Sequence, residues 1–354
     1  MKKAGKVFII AEAGVNHNGK LAIALKLCQK AKEAGADAVK FQTFITDKVI
    51  TPNAPSAEYQ KRNIKKRISQ YDMSKGLELK FKDFKKIYDY CGKIGIEFMS
   101  TPDDEESLAF LMSLGMKVIK IGSGEVTNIP HLLKVAARKK DVILSTGMST
   151  LDEVEIAYRT LKKAGARSVS LLHCTTNYPC PIEEVNLNAM LTLKNHFKTR
   201  VGYSDHTLSF EVPIAAAALG AEIIEKHMTL DKQMEGPDHK ASFDPEQFTK
   251  MVKAVRNIEK AMGDGVKRAT SSEKKLKRIV RRVIVASKNL IKGQVICIND
   301  ICMKRSDRGI GAEEYVYIVG KRINADIGKD EPILKKHISN IDRTIKKSFK
   351  DIYS

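Results

Sequence analysis

The chain of 354 residues contains no tryptophan, and aromatic residues make up only 6% of it. None of the usual nucleic-acid-binding signatures appears. The six cysteines are scattered, with no Cys-x-x-Cys pair and no zinc-ligand spacing. That usage suits free thiols in a reducing compartment rather than a disulfide framework. Apolar runs are no longer than a strand, so no segment reads as a membrane span. Behind Met1-Lys2-Lys3 the apolar stretch Val7 to Ala11 is too short for a signal peptide. A cytoplasmic protein is expected, with neither membrane nor nucleic acid as a partner.

What is abundant is positive charge, a formal +20 from 62 Lys and Arg against 42 Asp and Glu. The lysines are spread along helix faces, as at Lys80, Lys82, Lys85 and Lys86. This is the pattern of a solvated surface, and it attracts small anions at long range. Hydrophobic residues reach 43%, enough for a large core, and the length fits two domains.

From Val7 to Met262 the chain alternates strand-like and helix-like segments. Strands are expected at 7–11, 38–42, 96–100, 118–121, 142–145, 168–172, 200–204 and 222–227. Helical patterns fall between them, including 78–94, 104–114, 130–139, 151–164 and 245–262. Eight strand–helix units in about 260 residues have the rhythm of a TIM (β/α)8 barrel. A doubly wound open sheet is the runner-up, but the first turn lacks its Gly-x-Gly-x-x-Gly fingerprint. The polar excursion from Thr43 to about Ser74 is too long for a plain connection and reads as a partly helical active-site loop. The expected organisation is a barrel over 1–262, a charged linker over 263–281, a small Gly-turned domain over 282–340 and a polar tail over 341–354.

Barrel active sites lie at the C-terminal strand ends. Strand side chains alternate between faces, so the inward series reads Phe8, Ile10, Glu12; Ala38, Lys40, Gln42; Val118, Lys120; Ile143, Ser145; Leu171, His173; Gly202, Ser204, His206; and Ile223, Glu225, His227. Apolar residues at the bottom give way to polar ones at the top. If the last two strands are neighbours, His206 and His227 lie roughly 5 Å apart and suit a divalent metal with open positions. The alternative is two separately hydrogen-bonded histidines. Lys40 and Lys120 with Ser123, Ser145 and Ser204 make a donor-rich cationic patch suited to phosphate. Glu12, Glu125, Glu225 and Asp238 are candidates for acid–base work or for binding sugar hydroxyls. Together these fit carbon–carbon bond formation from a phosphorylated enol, a sugar-phosphate isomerase or a phosphate-ester hydrolase.

Several stretches resemble the sialic acid synthase family. They are Ala11-Glu12-Ala13-Gly14-Val15-Asn16-His17-Asn18-Gly19, Val39-Lys40-Phe41-Gln42-Thr43, Ala57-Glu58-Tyr59-Gln60, Lys120-Ile121-Gly122-Ser123-Gly124-Glu125, Leu144-Ser145-Thr146-Gly147-Met148, Leu172-His173-Cys174-Thr175, Tyr203-Ser204-Asp205-His206-Thr207, Glu225-Lys226-His227 and Gly236-Pro237-Asp238-His239. The segment 282–338 looks like the antifreeze-like (SAF) domain that follows the barrel in these enzymes. The resemblance implies condensation of phosphoenolpyruvate with an N-acylated mannosamine-type sugar. That sugar is N-acetylmannosamine for an N-acetylneuraminate synthase. It is 2,4-diacetamido-2,4,6-trideoxymannose for a legionaminic acid synthase. A non-enzymatic carbohydrate- or polyanion-binding protein is the remote alternative.

By the same resemblance His206 and His227 would hold Mn²⁺ or Mg²⁺. Lys40, Lys120, Ser123, Ser145, Asn177 and Ser204 would hold phosphoenolpyruvate, with Thr101 in the same substrate-binding set. Glu12, Gln42, Tyr178 and Asp238 would contact the sugar, and Glu125 would be the central acid–base residue, with Glu12 and Glu225 as further catalytic candidates. Arg305 would reach the sugar's N-acyl group from the partner subunit of a homodimer with swapped tail domains. The family often has Lys-Arg-Pro-Gly where this chain has Lys304-Arg305-Ser306-Asp307-Arg308, so Arg308 competes for that role.

Overall fold

The computed structural model describes residues 6–55 and 69–339. The chain divides into two compact units, residues 1–265 and 266–354. In the first, eight parallel strands close into a barrel in sequence order. They are β1 (Phe8–Gly14), β2 (Ala38–Thr43), β3 (Glu97–Pro102), β4 (Val118–Ile121), β5 (Asp141–Ser145), β6 (Ser168–His173), β7 (Val201–Asp205) and β8 (Ile223–His227). Closure is made by β1 beside β8, with Glu12 level with His227.

Most strands are apolar on both faces in their lower half. Ile10, Ala38, Met99, Ile143, Leu172 and Ile223 fill the barrel's interior, with Phe8 and Val118 against them. The opposite face carries residues such as Ile9, Val39, Phe41, Ile119, Leu144 and Ile224, which pack under the helices. A barrel interior filled this way is a solid floor, so ligand space exists only at the strand ends.

The helices are fixed by local chemistry. Leu151–Lys163 starts in a capping box between Thr150 and Glu153, buries Val154, Ala157 and Leu161, and carries Lys162 and Lys163 in its last turn. That charge placement complements the helix dipole. Pro245–Met262 opens with a capping box between Asp244 and Gln247. The helix expected over 78–94 begins instead at Phe81. Gln70–Leu77 is a separate helix, capped by Ser69. Glu78, at the break, accepts bonds from the backbone and hydroxyl of Thr46, so the long excursion is tied back onto the barrel mouth. Its Ala57-Glu58-Tyr59-Gln60 motif lies outside the described residues.

In the second unit β9 (Arg282–Ala286) pairs antiparallel with β10 (Ile301–Arg305). Ile284, Leu290, Ile296, Ile310, Ile318, Ile323, Ile327 and Ile333 form its core. Within the stretch expected as linker, Ser271–Val280 is a helix with a Thr270–Glu273 capping box. Arg305 closes β10 and is exposed, as is Arg308 beyond it.

One glycine is demanded by the closeness of two strands. A Cβ on Gly202 would lie 2.1 Å from the Ile223 carbonyl oxygen. Gly202→Val should therefore push β7 off β8 and cost about 1–3 kcal/mol, the usual range for overpacking. The urea midpoint measures it, and an unchanged midpoint would contradict so tight an approach.

Candidate active site

The strand ends converge on a buried ionic cluster. Lys40 lies 2.6 Å from Glu12 and 3.6 Å from Glu225. Lys120 lies 3.7 Å from Glu225 and donates at 2.7 Å to the Ser145 hydroxyl. The Ser204 hydroxyl donates to Glu225 at 3.2 Å, and Lys40 reaches the Thr101 hydroxyl at 3.5 Å. All are buried. Burial pushes Glu12 up to about 7, against the pull of Lys40 and with the help of Glu225's negative charge. Glu225 is held below the usual carboxylate range, because Lys120 and Lys40 outweigh its burial. Burial lowers Lys120. Lys40 is raised: burial opposes its charge, but Glu12 and Glu225 more than compensate.

Beside this cluster the two imidazoles meet with ring centroids 5.4 Å apart, as strand alternation requires. His206 Nδ1 donates to the Thr175 carbonyl at 2.6 Å. That bond fixes the tautomer and leaves Nε2 with a lone pair. His227 Nδ1 is buried without a hydrogen-bond partner, 4.0 Å from Asp238. Burial lowers His206 to about 4 and, helped by His206, holds His227 well below its ordinary value. Two neutral imidazoles with an unused nitrogen fit a divalent metal. Among the described residues no group of three or more His, Cys, Asp and Glu is arranged to hold one. The protein side of such a site is thus two imidazoles, leaving positions for water or substrate.

A cavity of about 200 Å³ adjoins the imidazoles. Gln42, Gln70, Ser74, Asp103, Tyr178, His227 and Asp238 supply its polar lining, and Val15, Phe44, Val49, Ile50, Met73 and Leu77 its apolar wall. The Tyr178 ring packs 4.2 Å from that of His206. Burial raises Asp238 to about 6.

The other expected residues sit around this centre. Ser123 lies 3.2 Å from the Cys174 thiol and accepts the Gly147 amide at 3.1 Å. Glu125 ends the short turn Ser123–Glu125, half-buried, and accepts from Asn128 at 2.6 Å. Asn177 meets Glu184 at 3.4 Å. Arg305 belongs to the second unit.

One strand was misread. Leu171 and His173 were expected inside the barrel, yet Leu171 packs in the outer core and Leu172 in the inner one. His173 Nε2 meets the Val185 carbonyl at 2.8 Å, outside. The inward residue at this strand's end is Cys174. Asp103 was missed altogether. It lies beyond Pro102, where Met99, Thr101 and Asp103 continue one face.

A closed parallel barrel with buried lysines, carboxylates and paired histidines at its strand ends defines a class of barrel enzymes for anionic substrates. Within that class the chain belongs to the NeuB family, which matches residues 27–267, and a SAF domain matches residues 281–339. Among curated relatives it is 46% identical to the N,N'-diacetyllegionaminic acid synthase of Legionella pneumophila, over 94% of each chain. It is 48% identical to that of Campylobacter jejuni, over 93% of this chain and 99% of the other. Among solved structures, the sialic acid synthetase of Leptospira borgpetersenii in complex with citrate is 35% identical, with TM-score 0.67 over 77% of this chain and 90% of the other.

The metal fit is tested by titrating the purified chain with Mn²⁺ and reading binding directly by calorimetry. Replacing His227 by Ala should abolish the binding while leaving the unfolding midpoint nearly unchanged. Binding that survives in this variant would show that the imidazoles serve only structure.

Proposed function

We propose that the chain condenses phosphoenolpyruvate with an N-acylated mannosamine-type sugar and water, giving a nonulosonic acid and phosphate. The observation that carries this is the pairing of two unlike half-sites at one barrel mouth. One is the lysine–carboxylate cluster, and the other is the cavity bounded by Gln42, Tyr178, His227 and Asp238.

The loose contacts of Lys40 and Lys120 with Glu225 leave ammonium hydrogens for an anion. A phosphate there takes charge-assisted bonds from both lysines and hydroxyl bonds from Ser145 and Ser204. In the reaction the enol carbon bonds to the sugar's aldehyde carbon. Water adds to the resulting cation, and the carbon–phosphate oxygen bond breaks to release phosphate. Lys40 and Lys120 stabilise charge gathering on the leaving phosphate. Glu12, raised to about 7, and Glu125 would move protons between the sugar's oxygen and water. His206 and His227 would hold Mn²⁺ or Mg²⁺, which when bound would supply Lewis-acid polarisation of the aldehyde and orient water. In a homodimer with swapped tails, Arg305 or Arg308 of the partner chain would complete the sugar site.

Of the two sugars, 2,4-diacetamido-2,4,6-trideoxymannose is favoured over N-acetylmannosamine. The wall of Phe44, Val49, Ile50, Met73 and Leu77 suits extra methyl groups, and the relatives from Legionella and Campylobacter carry the corresponding product in their names.

Phosphate release from phosphoenolpyruvate on adding each sugar, with Mn²⁺ present, tests the reading. Release is expected with an N-acylated mannosamine-type sugar and not without it. Lys40→Met should raise KM for phosphoenolpyruvate about tenfold or more, the loss of one charged hydrogen bond, and change KM for sugar little. A rise confined to the sugar would reverse the assignment of the half-sites.

A further inference from the structure

The cavity beside the imidazoles holds one acidic side chain that the reaction does not use. Asp103 continues the inner face of β3 after Met99 and Thr101, and its amide donates to the Thr43 carbonyl at 3.1 Å, extending the ladder between β2 and β3. The next residue is anchored harder still. Asp104 accepts from the Ser107 amide at 2.8 Å and from the Ile45 amide at 2.9 Å. The backbone is thus held on both sides of Asp103, which lines this cavity and also a second one with Lys48, Asn128 and His131.

Among the described residues that carboxyl has no hydrogen-bond or ion-pair partner. The polar groups that share the cavity with it, Gln42, Gln70, Ser74, Tyr178, His227 and Asp238, sit on other elements. Hydrocarbon from Val15, Phe44, Val49, Ile50, Met73 and Leu77 fills the spaces between them. A polar side chain with no protein partner discriminates between ligands, because one without a matching group leaves it desolvated and unpaired. Burial, reinforced by the nearby charge of Glu125 and opposed by Lys40, pushes Asp103 up to about 8. At neutral pH the carboxyl is then mostly protonated and both gives and takes a hydrogen bond.

We propose that Asp103 is a specificity-determining residue, which hydrogen-bonds the polar substituent that the sugar carries away from its aldehyde, an acylamino group or a hydroxyl. This rests on the sugar half of the function proposed above. Asp103 does not touch the reacting atoms. It selects among sugars of one class by what they place against it.

The test compares the unaltered chain with Asp103→Asn and Asp103→Leu, using phosphoenolpyruvate, Mn²⁺ and each of the two sugars. Asn keeps a donor and an acceptor, and Leu keeps only bulk. Asp103→Leu should raise KM for the preferred sugar by about tenfold or more and narrow the ratio of kcat/KM between the two sugars, with KM for phosphoenolpyruvate unchanged. Asp103→Asn should restore most of the preference, which a mere loss of packing would not allow. If the unaltered chain releases phosphate and Asp103→Leu keeps the same sugar ratio, Asp103 has no such role. An Asn variant as unselective as the Leu variant overturns it as well. If the unaltered chain releases phosphate with neither sugar, the function itself fails and takes this assignment with it.

Discussion

The site depends on an ion pair that never touches it. Asp205 and Lys226 are level in the register of β7 and β8, and both side chains are fully buried on the outer face of the barrel. The ammonium lies 2.7 Å from the carboxylate, donates to the Thr207 carbonyl and stands 4.2 Å over the Phe243 ring. Asp205 also accepts the Thr207 amide at 2.9 Å. Because strand neighbours point opposite ways, fixing Asp205 and Lys226 outward fixes Ser204, His206, Glu225 and His227 inward. A slip of one residue in either strand would turn its histidine away from the site and break the Asp205–Lys226 pair. The outer pair therefore acts as a register lock for the inner constellation.

Inside the barrel the electrostatics are left incompletely closed. Lys40 and Glu12 are in contact, but the distances of Lys40 and Lys120 to Glu225 are about an ångström longer. Each ammonium has one close partner, but burying charge that is only partly paired is costly. In the reaction proposed above, an anionic ligand would supply further short contacts and offset that cost. The neighbouring cavity is organised otherwise, with amide, hydroxyl, imidazole and carboxyl groups set among hydrocarbon, and with His227 kept uncharged by burial. A strongly cationic half and a mixed polar and hydrocarbon half, side by side, match a reaction that joins an anionic enol to a neutral acylated sugar.

Much of this was legible before any coordinates. The eight-fold beat marked the barrel, and alternation placed Glu12, Lys40, Lys120, Ser145, Ser204, Glu225 and both histidines on the inner face. β7 and β8 turn polar on both parities, and the convergent histidines chose between them, whereas β1, β2, β4 and β5 turn from apolar to polar on one parity only. β6 does not. Ser168-Val169-Ser170-Leu171-Leu172-His173-Cys174 offers a leucine and then a polar side chain on either parity, and only pairing with Leu172 beside Ser145 decides it. Asp103 was hidden by Pro102, which looks like the end of the strand although the ladder runs one residue further. The Asp205–Lys226 pair was hidden because charges next to helices read as exposed. The helix 271–280 had a visible capping box, Thr270 with Glu273, but its five basic and acidic residues drowned the apolar pattern in a stretch read as linker.

The register lock is tested most directly by replacing Lys226 alone and then both members of the pair. Lys226→Met leaves a carboxylate buried without its partner and should cost about 3–5 kcal/mol of stability. Mn²⁺ binding, which needs His206 and His227 to face each other, should weaken with it. Adding Asp205→Leu removes the stranded charge and should recover most of the stability. A Lys226→Met variant that unfolds at the same denaturant concentration and binds Mn²⁺ as tightly as the unaltered chain would contradict the account.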